Sequence, residues 1–214
     1  MKFVILDHPL ISHKHSILRD ENTPSMIFRS TITELTMLAT YEATKNLDTH
    51  EVEIRTPVAA MKCQQLTVNP RPLVVPILRA GLGMLEGMTR MIPSSEVGFL
   101  GMKRDEESLL PETYTERLPE DLRGRQCYLI DPMLATGGSL ADGIEYLYKR
   151  GARDITCINI VAAPEGRSLL EKRFSAVPDL DLKIFVTAMD EKLNEVGYIV
   201  PGLGDAGDRL YGPY

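Results

Sequence analysis

The sequence predicts an α/β fold: a parallel sheet flanked by helices, with an N-terminal helical segment and a lid or hood excursion. Three observations carry that expectation. Short apolar runs alternate with segments of helical spacing, which implies right-handed crossovers and a sheet covered on both faces. No internal repeat or low-complexity tract interrupts the order. A length of 214 residues, with 43% hydrophobic and 25% charged residues, suits one globular domain.

The elements follow in order. Ile32, Leu35, Leu38, Ala43 and Leu47 recur at helical spacing and predict one long amphipathic helix, limited by Pro57. Leu73 to Leu78 is a Val- and Ile-rich strand, followed by a helix through Leu82, Leu85, Met88 and Ile92. Val97 to Met102 reads as a second strand. Lys103 to Asp121 is dense in charge, contains Pro111 and Pro119, and shows no clean period, so it is expected to be a long excursion. Such a segment in a compact domain is a lid, a binding loop or a solvated hairpin. Cys127 to Ile130 is a third strand, followed by a helix through Leu140, Ile144 and Leu147 that stops at Lys149, Arg150 and Gly151. Ile155 to Ala163 is a fourth strand, Glu165 to Phe174 a helix introduced by Pro164, and Leu182 to Val186 a fifth strand.

Composition removes several classes of function. A net charge of -6 argues against a nucleic-acid partner. The longest apolar windows, such as Leu73 to Leu78, fall far short of the ~18 residues of a membrane span. Asp7 and His8 cut the apolar start Phe3 to Leu6 too early for a signal peptide, so a cytoplasmic protein is expected. Cys63, Cys127 and Cys157 form no CxxC pair, which disfavours a disulfide scaffold or a zinc site. His13 and His15 flank Lys14 without a supporting cluster of ligands and are expected to be solvated. No metal site on protein ligands alone is expected.

In parallel sheets ligands bind beyond the carboxyl ends of the strands. There the chain carries Asp131-Pro-Met-Leu-Ala-Thr-Gly-Gly-Ser139, leading into a helix. Thr136, Gly137, Gly138 and Ser139 place small residues, hydroxyls and backbone N–H groups at a helix amino end, which favours a phosphate. Ser139 can also cap the helix, with Asp142 completing a capping box. The loop lacks the lysine of GxxxxGK[ST], so it is not a nucleoside-triphosphate P-loop. Asp131, at the strand end, is placed to take vicinal ribose hydroxyls or a hydrated magnesium ion. Arg79 follows the first strand, and Lys103 with Arg104 follows the second; arginine suits pyrophosphate. Gly202-Leu-Gly204-Asp-Ala-Gly207 matches GxGxxG, but the chain has no room after it for the required strand and acid. Those glycines instead let backbone approach a small flat ligand, with Asp205 beside it. Gly81, Gly83 and Gly87 need only a turn and helix packing.

Asp131 to Ser139, Ile77-Leu-Arg-Ala-Gly81 and Gly197-Tyr-Ile-Val-Pro-Gly-Leu-Gly-Asp-Ala-Gly-Asp208 together resemble the uracil phosphoribosyltransferases of the bacterial type, within the type I phosphoribosyltransferases. The likeness extends through His8-Pro9-Leu10-Ile11, Leu18-Arg19-Asp20, Tyr41 to Thr44 and Ala162 to Gly166. It implies a phosphoribosyltransferase-type fold in a single domain over residues 1–214, with a lid at about 103–121 and a uracil-binding segment at about 197–208. The implied enzyme is a pentosyltransferase that moves phosphoribosyl from 5-phosphoribosyl 1-diphosphate (PRPP) to N1 of uracil, giving UMP and diphosphate in pyrimidine salvage. The resemblance places PRPP on Asp131, Pro132, Met133, Leu134, Ala135, Thr136, Gly137, Gly138 and Ser139, with Arg79, Arg104 and Asp205. It places uracil on Ile199, Gly204, Asp205 and Ala206, and gives catalytic roles to Arg79, Asp131 and Asp205. It further implies magnesium (Mg2+) held mainly through PRPP, a GTP effector, and a homo-oligomer, dimer or tetramer. Relatives usually carry a Thr, a tyrosine pair and a Lys in the lid, where this chain has Ser108, Tyr114-Thr115 and Arg117.

The residues agree with that chemistry. No Ser-His or Cys-His arrangement supplies a nucleophile, so direct displacement fits, and a lid would keep water from a sugar cation. Two other readings stand beside it: a PRPP- or nucleotide-sensing regulator on the same fold, and a phosphoribosyltransferase for another base.

Overall fold

A computed structural model describes residues 1–104 and 111–213. The first half comprises β1 (Lys2–Ile5), α1 (Pro9–Arg19), α2 (Ser25–Ala43), β2 (Thr49–Arg55), β3 (Ala60–Leu66), β4 (Leu73–Leu78), α3 (Leu82–Met91), β5 (Glu96–Val97) and β6 (Phe99–Arg104). Next come β7 (Pro111–Arg117), β8 (Gln126–Ile130), β9 (Met133–Leu134), α4 (Gly138–Lys149), β10 (Asp154–Ala162), α5 (Pro164–Phe174) and β11 (Asp181–Met189). β12 (Lys192–Leu193), β13 (Ile199–Val200) and α6 (Ala206–Tyr211) complete the chain.

The main sheet runs β1-β11-β10-β8-β4-β6-β7, and every neighbouring pair is parallel except β6 with β7. Its central strands are apolar on both faces, as a doubly covered sheet requires: in β10 only Asp154 escapes full burial. On one face α1, α2, α3 and α6 contribute Leu18, Ile32, Leu35, Met88 and Leu210 to a core with Tyr128, Ile130 and Ile158. On the other, α4 and α5 bring Ile144, Leu147, Leu170 and Phe174 against Leu129, Cys157 and Ile184. In α2 the buried Thr31, Thr36 and Thr40 return their hydroxyls to carbonyls one turn back, which satisfies them inside the core. A methyl group at Gly87 would lie 2.5 Å from the Thr33 carbonyl oxygen, so this glycine lets α3 close on α2.

The α/β order is as expected, and several details differ. The long helix is α2, which begins before Ile32 and ends at Ala43, so Leu47 lies outside it. The second strand breaks at Gly98 into β5 and β6. The excursion contains β7, paired antiparallel with β6; an edge strand with Pro111 at its first residue shows little alternation. Residues 105–110 of that excursion lie outside the described residues. Finally, His15 is not solvated. It sits buried in α1 with Nε2 2.9 Å from the Thr187 hydroxyl, which itself donates to the Ile160 carbonyl at 2.7 Å. Thr187 therefore accepts from Nε2–H, and the imidazole is held neutral, with Nδ1 the bare nitrogen.

Burial first, then the nearby Arg19, lower the His15 pKa from 6.5 to about 4. The unfolded chain binds this proton near pH 6.5 and the folded one does not, so stability is complete above that pH and falls as pH drops toward 4. Relative to His15→Gln, the wild type is expected to lose about 1–3 kcal/mol between pH 7 and 4.5, whatever the other groups contribute to both. Urea midpoints at the two pH values check this, and parallel losses in both proteins would refute it.

Candidate active site

Because the strands are parallel, β4, β8, β10 and β11 deliver their carboxyl ends to one edge of the sheet. β4 ends in Arg79-Ala80-Gly81, and the Leu78–Arg79 peptide is cis. A methyl group at Gly81 would lie 2.6 Å from the carbonyl oxygens of both Ile77 and Ile130. Glycine is therefore what lets this turn rest on the end of β8, beside Asp131.

The loop from Asp131 to Ser139 is fixed from below. Pro132 is buried and its carbonyl accepts the N–H groups of Ile160 and Val161, both at 3.0 Å, while Ala163 donates to the Leu134 carbonyl at 2.9 Å. Gly137 takes φ +85° at the amino end of α4, where an added methyl would meet the Gly166 carbonyl oxygen at 2.9 Å. A methyl on Gly166 would in turn lie 2.5 Å from the Ala135 carbonyl oxygen. By contrast, a Gly138 methyl would find only the Thr136 hydroxyl, at 3.8 Å. Two glycines thus pack the loop onto α5, and a third leaves open space in front of the helix dipole.

The capping expectation for Ser139 is overturned. Gly137 is the N-cap, without a side-chain cap, and Asp142 instead pairs with Arg173 at 2.9 Å. The left-handed turn at Gly137 starts the helix early and puts Ser139 inside its first turn. Its hydroxyl and the first N–H groups of α4 have no capping duty.

Asp131 is partly buried, and burial pushes its carboxyl up to about 7, opposed weakly by the Met133 N–H at 3.5 Å. The buried Asn159 donates Nδ2–H to the Asp131 carbonyl at 2.7 Å and fixes the strand end from behind. The site therefore holds an acid near its midpoint at neutral pH, which a polyhydroxyl or cationic ligand would draw into the charged form.

The C-terminal segment closes the other side. Asp205 caps α6, accepting from the Asp208 N–H at 2.9 Å. A methyl at Gly207 would lie 3.2 Å from Oδ1 of Asp205 and 3.9 Å from Nη2 of Arg79, so the β4 end and the C-terminal segment meet there. A cavity of about 120 Å³ follows the loop from Asp131 through Met133 to Leu140. A second, of about 260 Å³, is bounded by Ile199, Gly204, Asp205 and Ala206 on one side. Met133 and Ala135 line both, so two compartments share a wall. A larger cavity of about 480 Å³, lined by Asp48, Gln126, Asp154 and Asp181 among others, lies at the opposite ends of the strands.

Thus the structure brings together Arg79, Asp131, the loop 133–139, Ile199 and the segment Gly204 to Ala206. Pro132 supports the loop from beneath and borders neither compartment. Arg104 ends β6, and its side chain lies outside the described residues. Sequence reasoning missed Arg19, Asp190 and Arg209, which hold the C-terminal segment. Arg19 and Asp190 are 171 residues apart, and only tertiary contact pairs them.

Known proteins resemble this chain over nearly its whole length. The family model for uracil phosphoribosyltransferase matches residues 4–213. A uracil phosphoribosyltransferase of Bifidobacterium longum (strain DJO10A) is 60% identical over 213 residues, covering 99% of each chain. One from Paenarthrobacter aurescens (strain TC1) is 60% identical over 212 residues, again with 99% of each chain covered. A solved protein of Aquifex aeolicus superposes with a TM-score of 0.89 at 42% identity, over 98% of each chain.

Proposed function

The chain belongs to the uracil phosphoribosyltransferase family, and we infer from this and from the paired compartments that it transfers phosphoribosyl from PRPP to N1 of uracil, releasing diphosphate and UMP. The observation that carries the reading is the wall that Met133 and Ala135 form between an anion cradle and a second compartment bounded by Ile199 and Gly204 to Ala206. Two substrates seated there would have their reacting atoms side by side, and positioning of that kind is the main source of rate in a direct displacement. The regulator and other-base readings draw no support from the relatives or the site.

We assign the roles as follows. The N–H groups of Gly137, Gly138 and Ser139, with the Thr136 and Ser139 hydroxyls, take a phosphate of PRPP. Asp131 accepts the ribose hydroxyls, which favours its ionised form. Arg79, reaching toward Asp205 from the end of β4, receives the diphosphate as charge develops on it, and Arg104 joins it in the same reading. Backbone groups of Ile199, Gly204 and Ala206 match the acceptor, donor, acceptor edge of uracil. Asp205 caps α6 in the free protein and borders both substrates. As N1 bonds to C1 of the ribose, the C1–O bond to diphosphate breaks with its electron pair, and the N1 proton leaves to solvent or to Asp205.

Among the described residues no group of three or more His, Cys, Asp or Glu is arranged to hold a metal. The isolated carboxylates of Asp131 and Asp205 suit an ion that arrives with PRPP, with Asp205 as the residue to reach it. When bound, magnesium supplies neutralisation of the departing diphosphate. A GTP effector belongs to the same reading, and no residue is assigned to it. The test is a panel of labelled bases with PRPP and magnesium: uracil gives its nucleotide, whereas cytosine and hypoxanthine give none. Equal turnover of cytosine would overturn the assignment of the base compartment, because a mispaired buried group costs about 1–3 kcal/mol.

The same reading includes a homo-oligomer. β2 and β3 form a separate two-stranded sheet, with Val52 opposite Cys63 and Ile54 opposite Met61 on one face. Ile54 and Met61 are exposed, and Val58 at the tip is 93% exposed. An isolated hairpin is marginal in water, so a neighbouring copy covering this face accounts for it. Sedimentation should show a dimer or tetramer that Ile54→Asp with Met61→Asp dissociates; a monomeric wild type would refute this.

No helix among the described residues is long and apolar enough to cross a membrane.

A further inference from the structure

The stretch from Ile199 to Ala206 has little secondary structure of its own: a two-residue strand, then a turn through Pro201-Gly202-Leu203-Gly204. Gly202 stands at φ +66°, where an added methyl would lie 2.1 Å from the Ile199 carbonyl oxygen, so the turn is as tight as the chain permits. A loop of this kind recognises a base through its backbone only if something outside it fixes the directions of its peptide groups.

That external frame is the last turn of α1. Nη1 of Arg19 donates to the Gly202 carbonyl at 2.8 Å and to Oδ2 of Asp190 at 2.7 Å, while Nη2 donates to Oδ1 of Asp190 at 2.6 Å. Oδ2 of Asp190 also accepts the Gly202 N–H at 2.8 Å. The ring is closed: both polar groups of Gly202 are engaged, one by the guanidinium and one by the carboxylate it grips. Asp190 itself follows β11 and donates its N–H to the Ala162 carbonyl at 2.8 Å, so the ring is fastened to the sheet. The Asp190 side chain is 5% exposed and that of Arg19 24%. A second arginine reinforces the frame. Nη1 of Arg209 donates to the Leu203 carbonyl at 3.0 Å and to that of Leu18 at 2.7 Å, and Nη2 to the Asp20 carbonyl at 2.6 Å.

We propose that Arg19, acting through Asp190, is a positioning residue for the base: it sets the spacing between the backbone groups of Ile199 and Gly204 that read uracil. The proposal rests on the assignment of this segment to uracil. A purely stabilising role fits the arrangement less well. A buried ion pair recovers little more than its desolvation cost, and an apolar pair would fill the same space. What an apolar pair cannot do is aim the two peptide groups that flank Gly202. The PRPP loop is held by different contacts, at Ile160, Val161, Ala163 and Gly166, so loss of the ring falls on the uracil segment and reaches PRPP only through Asp205.

The experiment uses the full-length protein with Arg19→Ala, Arg19→Lys and Asp190→Asn, varying uracil and PRPP separately. Expected is a KM for uracil raised about tenfold to a hundredfold in Arg19→Ala and Asp190→Asn, with KM for PRPP raised far less and with weaker discrimination against cytosine. Arg19→Lys, which keeps the charge and loses the fork, falls between these and the wild type. Equal rises in both KM values, or a lower melting temperature with uracil KM and base selectivity intact, would overturn the proposal. If Arg19→Ala does not fold, the two milder variants decide by the same criteria. A wild type that makes no UMP sinks the parent reading instead, so the two failures are distinguishable.

Discussion

Asp131→Asn is expected to lower kcat/KM for PRPP by about a hundredfold or more while making the unliganded protein more stable at pH 8. The two effects have one cause. Burial raises this carboxyl from 3.8 to about 7, so between those values the folded chain keeps a proton that the unfolded chain has lost. The part of the stability that Asp131 supplies therefore falls as pH rises through that window, by up to about 1.4 kcal/mol per pH unit, and levels off above it, a trend read as the difference between wild type and Asp131→Asn. Asn carries no charge and escapes this cost, yet it also cannot supply a charge-assisted acceptor to the ribose hydroxyls. Wild-type kcat/KM for PRPP should rise as pH passes 7, and the Asn variant should lose that rise. Urea unfolding at pH 5 and pH 8, with initial rates over the same range, checks both halves. A variant with wild-type rates, or one whose stability follows pH as the wild type does, would contradict the assignment.

Gly137→Ala should reduce PRPP affinity by about a hundredfold and leave the uracil segment undisturbed. At φ +85° an alanine costs about 1–2 kcal/mol, and its methyl would stand 2.9 Å from the Gly166 carbonyl oxygen, a backbone atom with no room to yield. The loop must lift off α5, taking the α4 amino end with it. Gly138→Ala is the informative companion. Its methyl meets nothing closer than the Thr136 hydroxyl at 3.8 Å, so the fold is kept, but the methyl projects where the phosphate is expected. Calorimetric titration with PRPP should show both variants weakened, and only Gly137→Ala with a lower melting temperature. Tight PRPP binding by Gly137→Ala would refute the cradle.

Much of this was legible in the sequence because the central strands are buried on both faces and read as largely apolar runs, with β4 and β8 each followed at once by a charged residue. The ends of β4, β8 and β10 were placed within a residue or two, and with them Arg79 and Asp131. The losses occurred where tertiary contact overrides local signal. β7 lies at the sheet edge, paired on one side only, with β6. His15 looked like a solvated histidine because its partner Thr187 is remote in sequence. Ser139 fitted a capping pattern, but the positive φ at Gly137 decides where α4 starts. Arg19 was visible only as part of a family likeness; its partners Asp190 and Gly202 are assembled by the fold.

The assigned roles require that one edge of the sheet hold PRPP and uracil against each other. The most direct test is the initial rate of UMP formation from labelled uracil by the purified protein, with PRPP and magnesium each omitted in turn. UMP and diphosphate are expected in equal amounts, and none when either PRPP or magnesium is left out. Failure to form UMP with all three present, or release of free ribose 5-phosphate in its place, would contradict the assigned roles.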